Sequence, residues 1–430
     1  MRQWMVAAKK ADFYAIAEKF HVDPVVARII RNREVIGEKN IRIYLGGNLS
    51  DLSDPHQMKD MDRLVEILVQ KIRKQVRIRI IGDYDVDGVT SSHLFLTALR
   101  RVGAKVDVVI PHRIQDGYGL SLHLLQQAKE DGVDTILTCD NGIAAIDEIA
   151  WAKAQKMTVL VTDHHAVPFE EHEGRRTEKK SLADAVVNPH QQDCGYPYKE
   201  LCGAGVAWNV IRVLYENYDM DKREAEDLLD FVAMATVCDV MSLTGENRIL
   251  VKEGLKRIRH TKNIGLQALM QACNVQPENI SAYHFGYVLG PCVNATGRLD
   301  TARHALRLFE TGQETEAEEI ARDLVDLNQE RKELTLQGVE MAKKLCEEGG
   351  YENDPILVLF LPDVHESIAG LIAGRIREMY NRPVFVLTRG EEGVKGSGRS
   401  TENYSMYENM CGCAELFTKF GGHPMAAGLS

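Results

Sequence analysis

The sequence is poor in long apolar runs, in paired cysteines and in positive charge. No stretch approaches 18 consecutive apolar residues, which excludes an ordinary membrane-spanning helix. Met1-Arg2-Gln3-Trp4 leads into a mixed polar segment without the apolar core of a signal peptide. A cytoplasmic location with no membrane attachment is therefore expected. The nine cysteines are scattered, and Cys411-Gly412-Cys413 is the only close pair. With no second pair at zinc-finger spacing, reduced and mostly buried thiols are expected rather than a disulfide framework or a zinc site. Neither an internal repeat nor a low-complexity tract organises the chain. Lys and Arg number 52 against 63 Asp and Glu, a net charge of -11. That balance speaks mildly against a nucleic-acid partner, although a basic groove can sit on an acidic body. A site for several divalent cations needs just such a surplus of carboxylates.

What is present is an ordinary globular composition, 44% hydrophobic and 27% charged. A chain of 430 residues exceeds a single core, so two or three domains are expected. Residues 1–60 read as a helical preface, with Asp23-Pro24 as a cap and first turn. From residue 61 helices alternate with short apolar strands, predicted at 76–81, 105–110, 135–138, 158–161 and 185–187. This rhythm predicts an α/β domain over 61–313, a parallel sheet with helices on both faces. Residues 314–350 read as one connecting helix, about 50 Å long at 1.5 Å per residue, closed by Gly349-Gly350. A smaller α/β domain over 351–430 follows, with strands at 356–361 and 384–387 around a helix at 367–379. The sequence stops directly after a glycine-rich element, and a C-terminal continuation is expected.

The chemistry gathers where the predicted strands end. The first runs into Asp83-Tyr84-Asp85-Val86-Asp87-Gly88, the third into Asp140-Asn141-Gly142, the fourth into Asp163-His164-His165 and the fifth into Asn188-Pro189-His190. Taken singly, each has an ordinary reading as a turn, a helix cap or a surface pair. Four successive strands delivering acid, amide or imidazole at their C-terminal ends is a different matter. In open parallel sheets the ligand crevice lies there. Carboxylates brought together repel one another unless cations intervene, and an Asp/His set suits Mn²⁺, with Mg²⁺ possible.

These segments resemble the motifs of the DHH phosphoesterase superfamily. Asp83-Tyr84-Asp85-Val86-Asp87-Gly88 is similar to its first motif, Asp140-Asn141-Gly142 to its second, Asp163-His164-His165 to its signature triplet and Cys238-Asp239 to its fourth. The form of the first motif, with Leu52-Ser53-Asp54-Pro55 in the preface, resembles the branch of exonucleases specific for single-stranded DNA. Asn294-Ala295-Thr296-Gly297-Arg298 is similar to a motif supplying a phosphate-contacting arginine. The second domain resembles the accessory, DHHA1-type domain, through His365-Glu366-Ser367-Ile368-Ala369-Gly370, Gly396-Ser397-Gly398-Arg399-Ser400 and Gly421-Gly422-His423-Pro424. Ser367 departs from the usual glycine; a serine at a helix start still presents its amide and adds a hydroxyl.

The resemblance implies a metal-dependent 5′-to-3′ exonuclease releasing 5′-mononucleotides from single-stranded DNA in repair and recombination. A strand would lie in a groove between the two domains. The ligand surplus suits a hydrolysis with two ions about 3.5–4 Å apart, in which no side chain is the nucleophile. Asp85, Asp87, Asp140, His164 and Asp239 are the expected ligands, with Asp83 less certain. Asp163 is either a ligand or an orienting partner, and His165 and Arg298 are assigned to the reacting phosphate. Asn188, His365, Ser367, Gly370, Ser397, Arg399, Ser400, Gly421, Gly422 and His423 are the expected substrate-binding set, since glycine permits close backbone approach and Arg grips phosphate. Single-stranded DNA is the expected partner, with a single-strand-binding protein and a helicase beside it. Aromatic side chains are expected to stack bases, but the sequence does not say which. The rival readings are a phosphodiesterase of the same superfamily for short oligonucleotides or cyclic dinucleotides, and an inactive scaffold. The latter would lack ligands, and none is missing.

Overall fold

The computed structural model describes residues 5, 9–113, 116–172, 175–351, 354–390 and 393–430. The leading segment Met1–Trp4 lies outside them. The chain divides into two compact units: residues 1–297 with 301–322, and residues 298–300 with 323–430.

In the first unit, five strands form one parallel sheet in the order β2-β1-β3-β4-β7: β1 Arg77–Ile81, β2 Lys105–Val109, β3 Thr135–Cys139, β4 Thr158–Thr162 and β7 Ala185–Val187. The side chains explain the geometry. β3 is buried along its whole length, as a central strand covered on both faces requires. Ile136, Val159, Val161 and Val186 face Leu124, Leu125 and Ala128 of the helix Leu122–Glu130 and Ile149 and Ala152 of the helix Ile146–Ala154. The helices Val86–Arg101 and Gly203–Glu216 also pack on the sheet. Each fully buried Val, Leu or Ile contributes about 1.5–3 kcal/mol.

Arg79 stands almost buried within β1. It is held by Asp107 on β2 (Nε–Oδ1 2.7 Å, Nη2–Oδ2 3.0 Å) and by Asp131 (2.8 Å). Between β4 and β7 the chain makes a two-stranded antiparallel ribbon, β5 Phe169–His172 and β6 Arg175–Glu178, which the α/β rhythm did not announce.

The preface is helical as expected, over Phe13–Phe20, Pro24–Asn32 and Glu38–Gly46. Asp23 caps the second helix by accepting from Val25 N, and Ile30, Val35, Ile41 and Tyr44 form a small core. The long helix runs Glu314–Gly349, and Gly350 at φ +68° ends it.

The second unit holds a mixed sheet in the order β11-β12-β10-β9-β8: β8 Leu357–Phe360, β9 Val384–Gly390, β10 Gly393–Arg399, β11 Phe420–His423 and β12 Ala426–Leu429. Only β8 and β9 are parallel. Leu357, Leu359, Val384 and Val386 pack on Ile368, Ile372 and Ile376 of the helix Glu366–Tyr380. Phe385, Met406, Met410 and Ala427 form a separate cluster.

The described cysteines are all free thiols, five of them buried. Among the described residues no helix is long and apolar enough to cross a membrane.

Candidate metal centre and phosphate-binding face

The parallel strands β1, β3 and β4 each run into a segment of acidic or imidazole side chains at the sheet edge. Asp85 caps the helix Val86–Arg101, accepting from Gly88 N at 3.0 Å. Asp87, in the first turn, accepts from Gly203 N (2.6 Å) and Ala204 N (2.8 Å) at the start of the helix Gly203–Glu216, where a helix favours negative charge. A Cβ on Gly203 would stand 2.6 Å from Asp140 Cβ, so only glycine lets that helix end approach. Asp140 takes φ +62°. Its neighbour Asn141 locks the turn by donating to Ile81 O (3.0 Å) and Cys139 O (2.9 Å).

Asp239 is the C-cap of the helix Leu229–Cys238, the end at which a carboxylate is disfavoured by the helix dipole. The following Val240 takes φ +58°. Met241 N reaches Thr236 O and Val240 N reaches Val237 O, both at 3.2 Å. These bonds make a left-handed helix stop that usually carries glycine.

These side chains converge. Asp83, Asp85 and Asp140 can offer ligand atoms within 4.8 Å of one another, as can Asp87, His164 and Asp239, and also Asp140, His164 and His165. The first two sets share no residue, which suits two ions. His164 Nε2 lies 3.0 Å from Asp140 Oδ1, 3.6 Å from Asp87 Oδ2 and 3.7 Å from Asp239 Oδ2. Burial lowers the imidazole's affinity for a proton, so a lone pair faces three carboxylates. Both oxygens of Asp83, Asp140 Oδ1 and His164 Nε2 are buried and make no hydrogen bond. Lone pairs turned on one another without a donor fit a site for a cation.

The carboxylates register the same strain. Burial, then the charge of Asp85, pushes Asp83 well above the usual range. Burial, then Asp87, Asp85 and Asp83, does the same to Asp140. Burial with Asp87 and Asp85 takes Asp239 to about 8. A mixed carboxylate and imidazole set fits Mn²⁺ or Mg²⁺.

Asp163 stands apart from this group. Its Oδ1 accepts from His164 N (2.7 Å), His165 N (3.0 Å) and His165 Nδ1 (2.8 Å), and its Oδ2 from Ile143 N (2.8 Å). Burial would raise it, but the bond and charge of His165 hold it below the ordinary range. N–H donors engage both oxygens, which places Asp163 to orient His165. Burial pulls His165 down, yet Asp163 lifts it to about 9. Asn188 is likewise occupied, donating to His165 O (2.9 Å) and accepting from His190 N (2.8 Å). These bonds brace the loop that follows β7.

In the second unit, His365 Nδ1 pairs with Ser367 Oγ at 2.6 Å, so the hydroxyl that replaces the expected glycine holds the imidazole. Arg298 Nη1 donates to Ser367 O at 2.7 Å. A Cβ on Gly370 would come within 2.8 Å of Arg399 Nη2 and of Ser397 Oγ. Arg399 Nη1 donates to Ser397 Oγ at 3.1 Å.

The register rows Ser397–Gly428–Gly421 and Arg399–Ala426–His423 put Gly421 and His423 two strands from Ser397 and Arg399. Gly422, at φ +153°, belongs to the same hairpin. The buried Ser400 donates its hydroxyl to Tyr404 O at 2.6 Å. A Cβ on Gly396 would run into Leu387 and Leu429, and one on Gly398 into Met406 and Phe385.

Residues 77–236 match the model of the DHH family, N-terminal domain, and residues 353–430 that of the DHHA1 domain. The chain is 36% identical over 425 residues to the single-stranded-DNA-specific exonuclease RecJ of Haemophilus influenzae, covering 95% of this chain and 72% of that protein. The chain belongs to the RecJ family. RecJ of Bacillus subtilis is 34% identical and matches 97% of this chain but 51% of its own length, so the chain spans about half of that relative. A crystal structure of exonuclease RecJ bound to manganese superposes with a TM-score of 0.74 at 32% identity, covering 87% of this chain and 90% of that one. RecJ of Thermus thermophilus has been solved with Mn²⁺ and with Mg²⁺, and the former gives a TM-score of 0.78 at 29% identity, covering 97% of this chain and 58% of that one.

Sequence reasoning missed several residues of this RecJ centre. Tyr118 donates its hydroxyl to Asp140 O at 2.9 Å and lies 3.1 Å from His165 Nε2. The glycines around it were the available signal, since Gly119 at φ +65° leaves a Cβ no room beside Asn141. Gly203, Ala204 and Ile143 act through backbone N–H groups, which no side-chain pattern reveals. Asn294 was legible only as part of a motif. Its Oδ1 accepts from Val86 N at 3.1 Å, steadying the first acidic loop.

Proposed function

We propose that this RecJ family member is a metal-dependent exonuclease that hydrolyses single-stranded DNA from its 5′ end to 5′-mononucleotides. The observation that carries the reading is the convergence of Asp83, Asp85, Asp87, Asp140, His164 and Asp239 at one sheet edge, with buried acceptors facing one another. Asp85, Asp87, Asp140, His164 and Asp239 hold Mn²⁺ or Mg²⁺, and Asp83 supports the same pair of positions. When bound, the ions activate water and neutralise charge developing on the phosphoryl oxygens. Asp163 fixes the ring of His165 through Nδ1, leaving Nε2 to carry a proton towards the scissile phosphate, where positive charge stabilises the transition state. Arg298, Arg399 and Ser397 grip phosphates, with His365 held by Ser367 beside them. Single-stranded DNA is the substrate, and a single-strand-binding protein and a helicase are the proposed protein partners, in the cytoplasm.

The test is degradation of end-labelled DNA in Mn²⁺. A linear single strand labelled at its 5′ end should release labelled mononucleotide first, and duplex or RNA of equal length should be cut far more slowly. Circular single-stranded DNA degraded as fast as linear DNA would refute the end-dependent reading. Preference for dinucleotides or cyclic dinucleotides would favour the short-substrate phosphodiesterase instead.

A further inference from the structure

The helical run from Ala282 to Leu299 passes through a π-helical turn, Phe285–Leu289, before continuing as the helix Gly290–Leu299. Turns of this kind are rare and often mark functional sites. Here the turn sets two tyrosines in parallel: the rings of Tyr283 and Tyr287 have centroids 5.2 Å apart and an interplanar angle of 24°. Both face solvent, at 63% and 72% exposure.

The segment that carries this pair packs against the helix end that carries Asp239. Cys238, next to Asp239, donates its thiol to Phe285 O at 3.3 Å, and a Cβ on Gly286 would lie 3.5 Å from Val237. The last turn that carries Asp239 therefore rests on the turn that carries Tyr287. Further along, Asn294 of the same run holds the first acidic loop through Val86 N. The seven steps from Tyr287 to Asn294 span about 10 Å of helix axis.

We propose that Tyr283 and Tyr287 form a platform on which bases of the single strand stack, a few nucleotides from the hydrolysed linkage. The proposal rests on the single-strand exonuclease reading of the adjoining centre. Neutral aromatic faces suit this occupant because every base has a π-face, so the grip is indifferent to sequence, as an exonuclease that moves along a strand requires. An i,i+4 aromatic pair also steadies its own helix, but that role is independent of strand length, whereas a platform is not.

The experiment compares wild type with Tyr287→Ala, the double variant Tyr283→Ala/Tyr287→Ala, Tyr287→Phe and Tyr287→Trp on 3-nucleotide and 12-nucleotide strands in Mn²⁺. Stacking of one base is worth roughly 5- to 150-fold in affinity. Tyr287→Ala should raise KM for the 12-mer about tenfold, with kcat moving much less, and the advantage of the 12-mer over the 3-mer in kcat/KM should shrink. Tyr287→Phe should keep that advantage, and Tyr287→Trp, with its larger face, should increase it. A hydrolysis-resistant phosphorothioate 12-mer carrying 2-aminopurine at successive positions should show quenching at one or two of them, and the double variant should abolish it. Wild type that cuts both strands, with a double variant of unchanged KM and quenching, overturns the platform and reassigns the tyrosines to a protein partner. Wild type that cuts neither strand overturns the exonuclease reading itself.

Discussion

Asp140 shows what it costs to hold charge for chemistry rather than for stability. Its carboxylate is buried, is surrounded by Asp83, Asp85, Asp87 and Asp239, and has an oxygen without a hydrogen bond. Asp140→Ala should abolish hydrolysis while leaving the metal-free protein as stable as wild type or more so, because a buried like-charge contact is removed. Activity assays with thermal melts in chelator check both halves; unchanged turnover at saturating Mn²⁺ would make Asp140 a turn residue only.

Protons follow from the same crowding. Asp239 is raised to about 8 in the metal-free protein, so at pH 7 it mostly carries a proton that a cation must displace. Mn²⁺ affinity should therefore rise with pH up to about 8. The sign for folding is opposite. Above the unfolded carboxylate range the unfolded chain has released this proton while the folded one keeps it, so the group's contribution to metal-free stability falls as pH rises towards 8. Calorimetric titration of Mn²⁺ at pH 7 in two buffers of different ionisation enthalpy should give different heats. Identical heats would mean that no proton is released.

Among elements, the regular ones were legible and the irregular ones were not. Strand Ala185–Val187 falls where the apolar triplet predicts it, and the helix predicted at 367–379 forms over Glu366–Tyr380, because burial periodicity is written in the side chains. The ribbon β5–β6 escaped because Phe169–Glu178 is nearly all polar. The glycines of β10 are strand positions where a Cβ would run into Leu387, Leu429 and Met406, a packing reason the sequence does not show. At the candidate metal centre the expected ligands could be proposed from the sequence because they follow strand ends, open a helix or close one. Their supports could not, being backbone amides of Gly203, Ala204 and Ile143.

Val240 is the element-scale oddity, a β-branched residue in left-handed conformation directly after the expected ligand Asp239. Its side chain is 87% exposed, so it contributes little packing. Val240→Gly removes strain of roughly 1–3 kcal/mol at the cost of added unfolded-state entropy of roughly 0.5–1 kcal/mol. The net expectation is a gain of about 1 kcal/mol in the stability of the first unit, read as a raised denaturant midpoint. A lowered midpoint would show that the valine packs against something in solution.

At the scale of the molecule, the two units divide the chemistry. Every expected metal ligand belongs to the first, and the set proposed to grip phosphate, Arg298, Arg399, Ser397 and the His365–Ser367 pair, belongs to the second. Since a ligand stabilises only the structure it binds, Mn²⁺ should act on one unit alone. Occupancy at a hundred times the dissociation constant is worth about 2.7 kcal/mol. The relief of repulsion among Asp83, Asp85, Asp87, Asp140 and Asp239 is part of that binding energy, not an addition to it.

Hydrogen exchange resolves the two units in one experiment. Amides in the turns after β1, β3 and β4, at the start of the helix Gly203–Glu216 and in the last turn of Leu229–Cys238 should slow in Mn²⁺. Those of β8 to β12 should exchange at the same rate with and without it. The slowing should be strongest at Gly203 and Ala204, whose N–H groups hold Asp87 in place for the ion. Protection that spread equally into β8–β12 would mean that the second unit also supplies ligands, and the assignment of phosphate grip to Arg399 would have to yield to a metal-bridging role for its neighbours. Unchanged exchange throughout, with Mn²⁺ still required for hydrolysis, would mean that the ions enter only with the DNA.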